Sequence, residues 1–190
     1  MNYYTTLPSP VGELRLVTDG SHLTAVLFVS SKKKPSEKNA GQEIAARSIA
    51  HRDAAGERKQ APARNDRLAI LAQARDQLSR YFAGERIEFS MPLAPAGTPF
   101  QRAVWTALLR VAYGETSTYG ALAKQIGRPK ASRAVGAAVG ANPLAIIVPC
   151  HRIIGAYGSL TGYAGGLERK TRLLAIEGAH GANAQLSLAA

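Results

Sequence analysis

"YGETSTYGALAKQIGRPKASRAVGAAVGANP", residues Tyr113–Pro143, reads as two short helices around a turn. Ser117 or Thr118 supplies the cap of the first, and Gly127 to Lys130 make the turn. The second runs from about Ala131 to Ala141 and stops at Asn142-Pro143, because a proline pushes the residue before it out of the helical region. A helix, a glycine-containing turn and a second helix preceded by basic residues is the pattern of a helix-turn-helix, one that many helical hairpins share. The second helix is small and nearly apolar apart from Arg133, whereas helices that read base edges carry several long polar side chains. Small residues let a helix backbone approach a narrow groove. Arg133 at its head is read either as a phosphate contact or as a side chain that enters the base stack.

Upstream, Phe100, Val104, Leu108 and Val111 recur at spacings of three and four, one buried helical stripe. "APAGTP" (94–99) before it is the candidate linker. The first 30 residues hold three short runs, "NYYTTL", "ELRLVT" and "LTAVLFV", that read as an antiparallel meander. Residues 31–65 are polar and sparsely apolar and are expected to form a long mobile surface loop. A helix is expected from about Asp66, with Leu71, Ala74, Leu78, Tyr81 and Phe82 on one face and Gly84 as its stop. "IEFSMPL" (87–93) is expected to return as an edge strand. The division that results is an amino-terminal domain over 1–97, a second domain over 98–178 and a tail over 179–190.

Downstream, "VPCHRIIGAYGSLTGYAGG" (148–166) carries the chain's one cysteine. A lone cysteine is usually a small buried hydrophobe. Here Pro149 precedes it, His151 follows it, and Arg152 adds a fixed positive charge expected to favour thiolate. Adjacent side chains of an extended segment face apart, so a bridging water is expected to link Cys150 to His151. Glu177 ends the helix in "LERKTRLLAIEG", where a carboxylate opposes the helix dipole unless a partner such as His151 offsets it. That pairing makes a Cys, water, His, Glu chain; the alternative is a solvated glutamate. The glycine loop does not match the dinucleotide fingerprint, and Tyr163 within it is read as a stacking residue or as core. His22, His51, His151 and His180 show no ligand spacing with the cysteine, so no metal site is expected.

Lysine and arginine total 24 against 13 acids, a net charge of +11, which points to polyanionic partners. Residues 31–65 contribute nine basic and four acidic side chains, net +5; residues 98–178 contribute ten and three, net +7. The second cluster lies among the motifs. No apolar run approaches the roughly 20 residues of a spanning helix, and the opening "MNYYTTLPSP" shows no signal pattern. A cytoplasmic protein is expected, with no membrane partner.

"FQRAVWTALLRVAYGETSTYGALAKQIGRPKASRAVGAAVGANP" and "NPLAIIVPCHRIIGAYGSLTGYAGGLERKTRLLAIEG" together resemble the methylated-DNA-protein-cysteine methyltransferases, the O6-alkylguanine repair proteins. The match is dense over about 98–178 and weaker before it. The resemblance implies an α+β chain: a small ribonuclease H-like antiparallel sheet plus helix, then a helical, winged helix-turn-helix-like domain. It implies binding to double-stranded DNA, flipping of an O6-alkylguanine and one irreversible alkyl transfer to Cys150, with O4-alkylthymine as a further candidate substrate. It implies no cofactor, and a monomer with cooperativity on DNA left open.

Carried over by motif, Cys150 matches the acceptor, His151 the water-linked base, Glu177 its orienting carboxylate and Asn142 the hinge asparagine. Tyr119 matches the tyrosine that donates toward guanine as charge develops on it. Arg133 matches the arginine that fills the vacated stack, with Thr118 and Lys130 beside it on the DNA-binding face. Tyr163, Ala164 and Val139 match the alkylguanine pocket. Ala164 stands where some relatives have serine, and Val139 where others carry a larger side chain. Zinc ligands of some relatives have no counterpart. Two rivals remain from the residues: a DNA-damage sensor without chemistry, disfavoured because the cysteine is present, and a Cys-His hydrolase, which leaves the helix-turn-helix unexplained.

Overall fold

The computed structural model describes residues 1–29 and 62–179. Three strands form the expected meander: β1 (Tyr3–Leu7), β2 (Leu14–Thr18) and β3 (Leu23–Phe28). Tyr3 pairs with Thr18 and Leu7 with Leu14, so the strand period of two sends Leu14 and Leu16 into the main core and Val17 to the other face with Ala25 and Leu27. Residues 31–61 of the expected loop lie outside the described residues. Its last part corrects the sequence reading, because β4 (Ala63–Arg64) pairs in parallel with β1 and completes the order β3-β2-β1-β4. Two residues are too few for the alternation by which a strand is read.

Helix α1 (Ala69–Phe82) lays Ile70, Leu71, Ala74, Leu78 and Tyr81 against the sheet. It starts three residues later than Asp66. The Asp66 carboxylate is taken by Thr5 Oγ1 at 2.5 Å and Arg64 Nε at 3.1 Å, which tie the turn to β1 and leave the helix without a side-chain cap. Gly84, at φ 86°, ends it with a Glu85 N–H bond to the Arg80 carbonyl, a turn that favours glycine. The expected strand over 87–93 is absent apart from a bridge between Leu93 and Leu23. Ser90 is held instead by Gln77 on α1, and Pro92 has no N–H to give to a ladder.

Helix α2 (Pro99–Leu108) opens with a capping box between Thr98 and Gln101 and with proline at its first turn. Strand β5 (Ser117–Thr118) leads into α3 (Tyr119–Gln125), capped by Thr118 Oγ1 on the Ala121 N–H, and α4 (Ser132–Gly140) follows the turn. Trp105 Nε1 donates to the Ala138 carbonyl at 2.9 Å and fixes α2 against α4. The thiol segment is a 3-10 turn, Cys150–Arg152, followed by β6 (Ile153–Ile154), which pairs in parallel with β5. Helix α5 (Leu167–Ile176) closes the described chain, with Glu177 at its C-cap.

The two halves share one core. Leu14, Leu16 and Leu78 belong to the same apolar cluster as Leu108, Leu122 and Ile153. The edge of β3 is covered by the segment after Asn142: the Val26 N–H donates to the Pro143 carbonyl at 2.8 Å, and the Val26 carbonyl accepts from the Ala145 N–H at 3.1 Å. Arg169 on α5 adds a second fastening, donating to the Val11 carbonyl at 2.7 Å with its guanidinium over Phe28.

Candidate active site

The thiol is positioned by the chain that runs from Asn142 to Cys150. Asn142 is buried; its Oδ1 accepts from Leu144 N–H, and its Nδ2 donates to the Val148 carbonyl at 2.8 Å and to Cys150 Sγ at 3.1 Å. One side chain thus braces the turn and touches the reactive atom. Between them Ile146 sits at φ 73°, with Ile147 N–H bonded to the Ala145 carbonyl, a strained γ-turn for a β-branched residue. Burial pushes the Cys150 thiol above its ordinary range, opposed by the Asn142 hydrogen bond and by the charge of Lys170. The resting sulfur is therefore a thiol that needs a base.

The sequence reading of the neighbouring groups needs two corrections. The 3-10 turn replaces the extended backbone expected at Cys150–Arg152. Arg152 does not serve the thiol: its Nε and Nη2 donate to Oε2 and Oε1 of Glu177 at 2.8 and 2.9 Å, and its Nη1 to the Val111 carbonyl at 2.6 Å. The bidentate fit of a guanidinium to a carboxylate explains that choice.

Glu177 is the hub. Its Oε1 lies 2.8 Å from His151 Nε2 and accepts from Tyr81 Oη at 2.8 Å, while Gly114 N–H reaches Oε2 at 3.3 Å. Burial alone raises this carboxyl, but the hydrogen bonds from His151 and Arg152 and their charges overrule it and lower it from 4.5 to about 2. An ionised carboxylate fixes the proton of His151 on Nε2. Nδ1 is then the lone-pair nitrogen, and it is buried with no hydrogen-bond partner among the described residues. Burial lowers the imidazole below its ordinary range, with Glu177 pulling the other way, so His151 is neutral near pH 7 and able to take a proton at Nδ1.

The residues expected to line a pocket sit on three elements. Tyr119, first residue of α3, is half-buried, and its hydroxyl lies 3.4 Å from the carbonyls of Thr161 and Gly162. Burial raises its hydroxyl above the usual range, with the hydrogen bond to the Thr161 carbonyl pulling the other way. Tyr163 is buried near the thiol, Val139 is buried on α4, and Ala164 is half-buried beside Tyr163. Gly136 on α4 faces the Tyr119 ring, where an added Cβ would stand in van der Waals contact at 3.7 Å, so α4 passes close beside the tyrosine. Arg133 and Lys130 are exposed at the head of α4 and in the turn before it, with Lys124 and Arg128 exposed nearby. Thr118 spends its hydroxyl oxygen on the cap of α3. A cavity of about 540 Å³ at the seam of the two halves, lined by Tyr81, Phe89, Tyr113, Pro149 and Arg152 among others, includes neither Tyr119 nor Tyr163.

Two residues of this site escaped the sequence reading. Lys170, fully buried, donates to the carbonyls of Ile153 and Thr161 and so ties the middle of the glycine loop to the residue before its start; burial lowers its ammonium from 10.5 to about 8. Its signal was present, since Lys170, Leu173, Leu174 and Glu177 fall on one helical stripe and place two charges on a core face. Tyr81 was read as core, correctly, but a buried tyrosine hydroxyl also needs a partner.

A helix-turn-helix beside a thiol backed by an ordered His-Glu pair places the chain among DNA-binding proteins that use a cysteine nucleophile. Residues 2–95 match the ribonuclease-like domain, and residues 99–179 the DNA binding domain, of 6-O-methylguanine DNA methyltransferase. The methylated-DNA-protein-cysteine methyltransferase of Methanosarcina acetivorans is 46% identical over 93% of this chain and 98% of its own. The crystal structure of Mycobacterium tuberculosis O6-methylguanine methyltransferase superposes with a TM-score of 0.74 at 44% identity, over 94% of this chain and 93% of that one. Mycobacterium tuberculosis OGT in complex with DNA gives 0.70 at 43% identity, covering 93% and 92%. The chain belongs to the methylated-DNA-protein-cysteine methyltransferase family.

Proposed function

We infer that this chain repairs DNA by moving the alkyl group of an O6-alkylguanine onto Sγ of Cys150, once per molecule. The observation that carries the reading is the Sγ held by Asn142 next to an imidazole whose Nε2 proton is fixed on Glu177. His151 Nδ1 takes the thiol proton through a water. The sulfur attacks the alkyl carbon, an S–C bond forms, and the C–O6 bond breaks with its electron pair leaving on guanine. Tyr119 donates toward the purine as that charge develops, and the proton count closes on neutral guanine. Nothing in the sequence of steps regenerates the thiol, so each chain reacts once.

Tyr163, Ala164 and Val139 form the walls for the flipped base. Thr118, Lys130 and Arg133 meet the duplex, with Arg133 filling the space the base leaves. The division at 97/98, a tail from 179, a monomeric state, cooperative binding along DNA and a cytoplasmic location complete the proposal. No helix among the described residues is long and apolar enough to cross a membrane. The test is a duplex with one O6-methylguanine mixed with the protein and read by intact and peptide mass. A gain of one methylene on the Cys150 peptide, capped at one per chain, supports the reading; tight binding with no gain would favour the non-catalytic sensor.

Two further results are expected. Arg133→Ala slows transfer from duplex DNA by about tenfold or more, because unstacking a nucleotide costs a few kcal/mol, and leaves reaction with the free modified base unchanged. Equal slowing on both substrates would remove the role in flipping. DNA affinity falls with salt, with a slope near −3 if about three to four of the exposed basic side chains around α4 meet phosphates; a flat salt series would place the DNA face elsewhere.

A further inference from the structure

We propose that Tyr81, a side chain of the amino-terminal half, is a positioning residue for alkyl transfer, holding Glu177 in the orientation in which it grips His151. The proposal rests on the reading of His151 as the base. Tyr81 is 1% exposed, and its hydroxyl donates at 2.8 Å to Oε1, the same oxygen that holds His151 Nε2 at 2.8 Å and Arg152 Nη2 at 2.9 Å. The phenol cannot swing away. Its ring is met edge-on by Phe82 and Tyr113 and at a tilt by Phe89, at centroid distances of 5.4, 6.1 and 6.1 Å. Burial, and next the Glu177 charge, hold its hydroxyl far above the ordinary range, so it remains a donor at every pH the site works in.

Three donors compete for the lone pairs of one oxygen. Each weakens the pull of that oxygen on the others, so Tyr81 tempers how strongly Glu177 stabilises a protonated His151. The groups that face this carboxylate are His151, Arg152, Tyr81 and the Gly114 amide, with Tyr113 alongside and Cys150 and Lys170 beyond the imidazole. Losing the Tyr81 hydroxyl leaves a more basic carboxylate and a more basic imidazole. Because the reaction uses neutral His151, its acid limb then moves to higher pH. A helix packed on the amino-terminal sheet thereby acts on the thiol of the other half.

The experiment uses the full chain carrying Tyr81→Phe. It measures single-turnover transfer from a duplex with one O6-methylguanine across roughly pH 5 to 9, together with DNA affinity and unfolding. Affinity is expected to stay within about twofold and the transfer rate at pH 7 to fall about ten- to a hundredfold, the scale of one hydrogen bond to a charged group. The acid limb is expected to rise by about half a unit or more. Tyr113→Phe is the control: it loses a 3.1 Å bond to the Ile176 carbonyl, one residue from Glu177, without touching the carboxylate, and its acid limb should match the wild type. A fluorotyrosine at position 81, a stronger donor of nearly the same shape, should move the limb the opposite way and keeps the test open if the phenylalanine variant folds poorly. A Tyr81→Phe profile that superimposes on the wild type, or an equal shift in Tyr113→Phe, overturns the proposal. If His151→Ala is slow while Tyr81→Phe is unaltered, only the role of Tyr81 fails; if His151→Ala transfers at the wild-type rate, the base itself is misassigned.

Discussion

Cys150→Ala is expected to bind duplex DNA carrying O6-methylguanine within about twofold of the wild type and to transfer nothing. The first half follows from what the sulfur does structurally. It is a small buried atom, 6% exposed as a residue, that accepts one hydrogen bond from Asn142, and Nδ2 of Asn142 keeps the Val148 carbonyl at 2.8 Å when the sulfur is gone. Asn142 is not orphaned, so the main loss is that of a small core atom, about 1 kcal/mol, with the Tyr163 hydroxyl, buried beside the thiol, losing the sulfur it faces. The second half follows from chemistry. This is the chain's one thiol, and a neutral phenol or imidazole is a far weaker nucleophile toward an alkyl carbon than a thiolate. The check is a pair of measurements on one sample, an equilibrium binding curve and a peptide mass spectrum after long incubation. Methyl transfer by the variant, to any residue, would refute the assignment of the acceptor; loss of binding with full folding would mean that the thiol contributes to recognition as well.

How much of this was legible in the sequence differs by kind of residue. The helices were readable because period and punctuation agreed: Thr118 as a cap, Gly127 in the turn and Asn142-Pro143 as the stop all stand where expected. The pairing of His151 with Glu177 was an expectation of the sequence, and the two groups meet at 2.8 Å. What was not legible depends on long-range contact. That Arg152 turns to Glu177 and away from Cys150 is decided by a residue 25 positions on. That Tyr81 reaches Glu177 is decided across 96. The strained turn at Ile146 had no local sign at all, since isoleucine is a poor choice for a φ of 73°, and only the packing of Leu144 and Ile147 and the Asn142 bonds force it. The missing strand at 87–93 failed for the opposite reason. Its composition favoured a strand, but its Ser90 was claimed by Gln77.

Glu177→Gln is expected to lose both stability and transfer, more than its near-identical shape suggests. Every group around the wild-type carboxylate is a donor: Tyr81 Oη, His151 Nε2, Arg152 Nε and Nη2, and Gly114 N–H. An amide brings an NH2 that must face one of them. Facing Arg152, it sets donor against donor and leaves a buried guanidinium without its counter-charge, which costs about 3–5 kcal/mol. Facing His151, it drives the ring to the tautomer protonated on Nδ1, which has no lone pair left for the thiol proton, and transfer falls by about 10²–10⁴. The acid side supplies an independent signature. The Glu177 carboxyl is at about 2 in the folded protein against 4.5 ordinarily, so its contribution is fully present above 4.5 and is lost as pH falls through that window toward 2, worth about 3 kcal/mol. His151 adds with the same sign, because burial lowers its folded value and the unfolded chain takes up that proton first as pH falls below 6.5. The wild type should therefore lose denaturant resistance steeply between roughly pH 6 and 2, while Glu177→Gln, less stable at pH 7, keeps only the histidine part of that slope. A Gln variant with wild-type stability, wild-type rate and an unchanged acid limb of unfolding would show that Glu177 is a bystander to both the fold and the thiol.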